Sequence, residues 1–339
     1  MKPATLKDIA DALGLSVPTV SKALKDYPDV SQKTKTLVKD LAKTLNYQPN
    51  AFAVSLRKSE SKTIGVIIPE TVHHFFSSVL KGIIQKAEEK GYLVIILQSN
   101  ESYELEKKQI DLLLRNKVDG ILISIANSTS NFMHLTSVIS SNIPLVMFDK
   151  IAKVVSCSKV IINDRHAAYT ATKHLITTGC RRIAHFRGPL MPQNSIDRFL
   201  GYKKALEDHG IPYDPQLVYI CNDMSYKEGR TYAKLIINEN RDVDGIFINT
   251  DLVAIGAIAE FNEQKIKIPE EISVIGFSNW FMSSVVSPSL STINQPGFKM
   301  GKTACKLLLK QIKKEKKNEN YDIKVVELKT KLVLRESTL

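Results

Sequence analysis

Apolar residues near the N-terminus recur at helical spacing in short blocks; farther along they gather into short β-rich runs separated by helical stretches. Leu6, Ile9, Ala10 and Leu13 fall on one helical face. Thr5 stands before them as a cap, with Asp8 at the capping-box spacing. Gly14 ends this helix, because glycine makes a left-handed turn at little cost. Ser16 is a candidate cap for a second helix, with Pro18 tolerated in its first turn. Val20, Ala23 and Leu24 then face inward, and Val17, Pro18, Thr19, Ser21 and Lys22 are left on the outer side and leading end. Ser31 caps a third helix, on which Leu37, Val38, Leu41, Ala42 and Leu45 recur. Two short helices about a glycine, closed by a third, predict an all-α helix-turn-helix head. Pro49-Asn50 signals a further helix start over 51–58, two turns that are marginal alone in water. The same stretch also reads as a flexible linker.

From residue 63 onward, apolar runs alternate with helical stretches. Strands are expected at 64–68, 93–97, 120–125 and 145–148, with helices at 77–90, 105–116 and 132–141 between them. The pattern restarts with strands at 160–162, 182–186, 217–220, 245–248 and 273–277. Such alternation predicts α/β architecture with two doubly wound parallel sheets. The expected division is a head over 1–48, a joint over 49–62 and a two-lobed body over 63–339. One lobe takes 63–162 with 293–322, the other 163–292 with 323–339.

Charge sharpens the reading of the head. The chain of 339 residues carries a formal net charge of +12; residues 1–58 hold ten Lys/Arg and five Asp/Glu, a net +5. A basic head with an outward helix suits nucleic-acid phosphate, with binding that weakens as salt rises. A solvated helical bundle is the plainer alternative. The candidate DNA contacts on the head are Thr5, Ser16, Val17, Pro18, Thr19, Ser21 and Lys22. Lys22 can donate to guanine O6 or N7, Val17 can touch a thymine methyl, and Pro18 offers only shape.

Ligands of open parallel sheets bind beyond the carboxyl ends of strands. Polar residues expected there are Glu70, Ser124, Asp149, Thr250, Asp251, Ser278 and Asn279, with Arg198 in a loop after 182–188 and Phe75 and Phe76 in the loop after the first strand. Met224 completes the candidate effector set. Polar forks beside aromatic faces suit a hydroxyl-rich ligand. Each residue also has a plainer role, and Thr250 and Asp251 could simply cap a helix over 252–262. His73 and His74 have no partner at metal spacing and read as residues of the cleft mouth.

No Gly-x-Gly-x-x-Gly, Gly-x-Ser-x-Gly, Walker or His-Glu-x-x-His motif occurs, so catalysis, a metal and a cofactor are not expected. Asp149 and Asp251 could be imagined as a glycosidase pair, but nothing fixes their separation. Cys157, Cys180, Cys221 and Cys305 are isolated and fit a reducing cytoplasm. No signal peptide or membrane-length apolar run is evident, which weighs against an exported sugar-binding protein.

The chain resembles the LacI-type bacterial transcription regulators (the LacI/GalR family). Residues 5–24 follow that family's signature almost without a gap, and Leu45-Asn-Tyr-Gln-Pro-Asn50, Ser55-Leu56, Ile64-Gly-Val-Ile-Ile-Pro69, His174-Leu-Ile-Thr-Thr-Gly179, Arg198-Phe-Leu-Gly-Tyr202, Ala254-Ile-Gly256, Pro288-Ser-Leu-Ser-Thr-Ile293 and Arg335-Glu-Ser337 continue it. The resemblance implies lobes of periplasmic-binding-protein type and a cytoplasmic homodimeric repressor on pseudo-palindromic operator DNA. It also implies release by a small sugar-like effector, a hinge that folds on DNA with Leu56 as a minor-groove wedge and Asn50, Ala53 and Arg57 as further DNA contacts, and Arg198 as the clamp on ligand oxygens. Family tetramers add a leucine heptad tail; none is seen here, so a dimer is expected. The sequence departs from the sugar-binding pattern at His73-His74, Thr250 and Ser278-Asn279, leaving the ligand open. A purine or a phosphorylated carrier protein as corepressor remains an alternative, as does a sugar-binding protein or carbohydrate-active enzyme.

Overall fold

The computed structural model describes residues 4–47, 60–71, 74–239 and 241–339. Asn50, Ala53, Leu56, Arg57 and His73 lie outside the described residues. The chain forms two compact units, residues 1–61 and 62–339.

In the first unit, α1 (Leu6–Leu13), α2 (Val17–Leu24) and α3 (Gln32–Thr44) begin where their capping residues predict. Thr5 and Asp8 form the reciprocal capping box, Ser16 accepts from the Thr19 amide, and Ser31 accepts from the Thr34 amide. Gly14 ends α1 at φ 62°, a conformation that would strain a residue with a Cβ. Ile9, Ala10, Val20, Ala23, Val38 and Ala42 make the core, with Leu6, Leu13, Leu24 and Leu41 packed around it. Leu37 and Leu45, expected on the inner face of α3, are instead exposed, at 51% and 39%. The inward stripe of α3 is narrower than expected, carried by Val38, Leu41 and Ala42.

The second unit holds two six-stranded sheets among the described residues. In the first, β1 (Thr63–Ile68), β2 (Leu93–Gln98), β3 (Gly120–Ile123), β4 (Leu145–Phe148), β5 (Ser158–Ile162) and β11 (Val325–Leu328) take the order β11-β5-β4-β3-β1-β2, all parallel. In the second, β6 (Ile183–Arg187), β7 (Val218–Ile220), β8 (Gly245–Ile248), β9 (Ser273–Ser278), β10 (Ser291–Asn294) and β12 (Lys331–Val333) take the order β12-β10-β9-β8-β6-β7. Only β12 is antiparallel, against β10. The helices are α4 (His74–Glu88), α5 (Tyr103–Arg115), α6 (Met133–Ser140), α7 (Asp164–Thr177), α8 (Gln193–Asp208), α9 (Tyr226–Asn238), α10 (Asp251–Glu263) and α11 (Gly297–Glu315). Central strands such as β1, β3, β4 and β8 are buried almost end to end, the mark of a sheet covered on both faces.

The C-terminal stretch divides differently from the sequence-based boundaries. Residues 325–328 pair in register with Lys159–Ile162 of the first sheet, not the second. Ile293 and Asn294 belong to the second sheet, paired with Phe277 and Ser278. The main chain therefore passes between the sheets three times, after β5, after β10 and between β11 and β12. Short apolar runs do not reveal which sheet they join; hydrogen-bond pairing decides it.

One close helix contact positions the site. A Cβ on Gly201 of α8 would stand 2.2 Å from the Arg165 carbonyl of α7. Only glycine lets these backbones approach so closely, and the approach carries Asp164, at the start of α7, toward Arg198, one turn before Gly201.

Candidate functional site

On the head, Val17, Pro18 and Lys22 are exposed and Thr19 and Ser21 half-buried, so the outer face of α2 is presented as its sequence pattern predicts. Two of these residues carry structural duties. Ser16 holds the start of α2, and the Lys22 ammonium is paired with Asp29. Thr5 is likewise engaged by Asp8. The Lys22–Asp29 pair is exposed and costs little to exchange for another acceptor.

In the second unit, a cavity of about 230 Å³ lies between the two sheets. Phe75, Phe76, Asp149, Arg198, Met224, Thr250, Asp251 and Ser278 line it, as expected. Phe75 and Phe76 enter from the first turn of α4 rather than a loop, and Arg198 from the second turn of α8. His74, the first residue of α4, also lines the cavity.

Three expected residues do not line it. Ser124 is fully buried, and its hydroxyl accepts from the Lys150 amide at 3.4 Å. Asn279 spends its amide group on Asn294 Oδ1 (3.1 Å) and on the Arg335 guanidinium (2.8 Å). Glu70 follows Pro69, whose carbonyl still pairs with the Asn100 amide, so the chain there continues the β1–β2 edge. Position after a strand end is a coarse guide, because the next side chain can point behind the sheet as readily as into the cleft.

Arg198 is only 4% exposed and is held on three sides. Its Nε donates to Asp164 Oδ1 at 2.7 Å and its Nη1 to the Asn249 carbonyl at 2.9 Å. Its guanidinium carbon lies 3.6 Å from the centre of the Phe277 ring. Across the cleft, Asp149 accepts from Gln295 Nε2 at 2.8 Å. Lys150 Nζ donates to both Glu101 oxygens (2.6 and 2.7 Å) and to Asn127 Oδ1 (2.8 Å). Asp251 has a different task. Its carboxylate accepts from Thr292 Oγ1 (2.6 Å), the Trp280 amide (2.6 Å) and Ser283 Oγ (2.8 Å), and so pins the loop after β9 to β10. Thr250 caps α10 through the Val253 amide.

Asp149, Met224, Ser278 and Asn279 all hold positive φ, from 51° to 112°. Left-handed backbone on non-glycine residues is costly and persists where neighbours hold it in place. Ser195 Oγ and Asn249 Oδ1, both on cavity-lining residues, find no hydrogen-bond partner among the described residues.

Sequence reading missed Asp164, Lys150, Glu101, Asn127 and Gln295, whereas Trp280, beside Ser278 and Asn279 beyond the 273–277 strand, was legible from its position. Asp164 and Gln295 lie at crossings between the sheets, a place the alternating pattern marks; the Lys150–Glu101 pairing leaves no local signal.

Burial pushes the Asp164 carboxyl up to about 7 despite the opposing pull of Arg198, with Asp149 and Asp197 adding to the rise. Burial raises Asp149 as well, against Arg198 and Lys150.

Two family models match the chain: "Bacterial regulatory proteins, lacI family" over residues 5–50 and "Periplasmic binding protein-like domain" over residues 172–338. A ribose operon repressor of Halalkalibacterium halodurans is 31% identical over 334 residues, 98% of this chain and 97% of that protein. The HTH-type transcriptional repressor CytR of Escherichia coli is 33% identical over 310 residues, 91% of this chain and 90% of that protein. A solved lac repressor dimer, bound to operator and the anti-inducer ONPF, superposes with a TM-score of 0.87 at 25% identity and covers 100% of both chains. Among the described residues, no helix is long and apolar enough to cross a membrane.

The raised Asp164 carboxyl has a measurable consequence. Its folded value lies above the unfolded one, so the folded state holds a proton that the unfolded chain has lost. The stability this contributes is complete below the unfolded value near 3.8 and is lost as pH rises toward about 7. Asp164→Asn, which never ionises, should therefore gain stability relative to wild type between pH 5 and pH 8, by a few kcal/mol at most. Calorimetric melting at the two pH values measures it, and a difference that does not change with pH would contradict the assignment.

Proposed function

The chain belongs to the lacI family of bacterial regulatory proteins and is a sequence-specific DNA-binding transcriptional repressor, and on that premise we propose that its interlobe cavity is the effector site through which operator binding is switched. The observation that carries this is Arg198. A guanidinium held by Asp164, the Asn249 carbonyl and Phe277 presents its remaining N–H groups in a fixed direction, facing a lobe that carries Asp149. A hydroxyl can accept from the guanidinium and donate to the carboxylate, bridging the lobes, while Phe75, Phe76 or Trp280 covers its apolar face.

A sugar or sugar derivative meets these demands. A relative named for ribose, and solved neighbours bound to cellobiose or ribose, support that choice. The lobes meet through three chain crossings, so a ligand that prefers one lobe angle can shift the balance between arrangements. The protein acts in the cytoplasm as a homodimer on a pseudo-palindrome. It binds its ligand without turnover: Asp251 is committed to Thr292, Trp280 and Ser283, which removes the partner that a glycosidase reading of Asp149 would need. In the head, Lys22 exchanges Asp29 for a guanine edge, with Val17 and Pro18 beside it. Leu56 is the proposed minor-groove wedge, and Asn50, Ala53 and Arg57 flank it.

Two variants test the two halves. Arg198→Ala should lose at least about a hundredfold in affinity for any sugar that binds the wild type, measured by calorimetry, and that sugar should no longer release the operator. Retained affinity would rule out the clamp, and a ligand that tightened operator binding would reverse the sign of the switch. Lys22→Ala should lose about 1–3 kcal/mol of discrimination between operator and unrelated DNA in competition binding. Unchanged discrimination would remove Lys22 from the base-reading set.

A further inference from the structure

Neither the lysine nor the arginine that lines the cavity is without a carboxylate partner. Arg198 is paired with Asp164 at 2.7 Å, and both side chains are more than nine-tenths buried. Lys150, 6% exposed, is paired with Glu101 at 2.6 Å. Two further carboxylates line the same space, Asp149 and Asp251, and no lysine or arginine forms a salt bridge with either among the described residues. The balance of fixed charge in the cavity is therefore negative once all four carboxylates are ionised.

We propose that Asp164 is a specificity-determining residue that sets the charge selectivity of the cleft: by neutralising Arg198 it makes the cavity take uncharged, hydroxyl-rich ligands and turn away phosphorylated or carboxylated ones. A phosphate placed against Arg198 meets a guanidinium whose Nε is already held by Asp164, and it approaches Asp149 with no free cation to offset the repulsion. Like charges forced together at a binding surface repel and weaken binding. A neutral hydroxyl incurs no such penalty, since it donates to Asp149 and accepts from a remaining guanidinium N–H. Asp164 itself does not line the cavity. It acts through Arg198, as a positioning and charge-setting residue.

This inference rests on the effector-site reading of the cavity, and the experiment separates the two. Full-length protein at pH 8, above the titration of Asp164, is titrated with ribose and ribose 5-phosphate, with glucose and glucose 6-phosphate, and with sulfate. The signals are heat and the fluorescence of Trp280, the chain's single tryptophan and a lining residue. Wild type should prefer the uncharged member of a pair at least about tenfold and show no sulfate response. Asp164→Asn should narrow that preference at least about tenfold and take up sulfate. Glu101→Gln, which releases Lys150, provides a second variant should the first melt at low temperature. A phosphorylated sugar that binds wild type as well as its uncharged partner would overturn the charge rule while sustaining the effector site. Sulfate uptake that is equal in wild type and both folded variants, or absent from all three, would overturn it as well. If none of the four sugars binds, the effector-site reading loses its support, and the sulfate comparison still decides the charge rule.

Discussion

A guanidinium with only 4% of its surface exposed is stable between two sheets only when its charge and its N–H groups are answered. In this protein the answer for Arg198 is Asp164 on one side, the Asn249 carbonyl on another and the face of Phe277 beneath. Each comes from a different element: the start of α7, the end of β8 and the end of β9. The glycine contact between α7 and α8 brings the acid and the base together. Asp251 then holds the loop that carries Trp280, and the strained backbone at Asp149, Met224 and Ser278 lies around the same space. A small number of buried polar contacts thus organises one wall of the cleft, and loss of any one would leave an unpaired polar group in a dry interior.

The opposite wall is built differently. Lys150, Glu101 and Asn127 form one set, and the Asp149 carboxylate accepts from Gln295, on the chain between β10 and α11. The two walls are joined by the chain crossings, by a shared hydrophobic cluster and by the Lys153–Asp197 pair, and what sits between them adds to these. That arrangement suits a regulator, because a ligand that touches both walls can favour one lobe angle, whereas a ligand held by one wall alone cannot.

The head could be read in detail from its sequence, because its signals are local: Thr5 with Asp8, Gly14, Ser16 with Pro18 and Ser31 each act within four residues. The parallel sheets were visible as well, since strands buried on both faces appear as continuous apolar runs. The cleft was visible in outline only. Arg198, Asp149 and the Phe75-Phe76 pair could be proposed from position and resemblance, but Asp164 could not, because its partner lies 34 residues away and an aspartate in a first helical turn is common wherever a helix begins. Asn279 shows the converse, a polar residue in the expected place that is consumed by Arg335 from the far end of the chain. Residues 325–328 were assigned to the wrong lobe for a similar reason: strand pairing is non-local, and neither composition nor periodicity records it.

A double-mutant cycle on Arg198 and Asp164 tests the central claim most directly. Arg198→Met is introduced into wild type and into Asp164→Asn, and unfolding free energies are measured at pH 8 from denaturant titrations. If the buried pair organises the cleft, removing the arginine leaves a buried carboxylate in the first background and none in the second, so the cost should be larger in wild type by about 1–3 kcal/mol. Equal costs in the two backgrounds would mean that the two residues do not act as a pair and that Arg198 is held in place by other contacts.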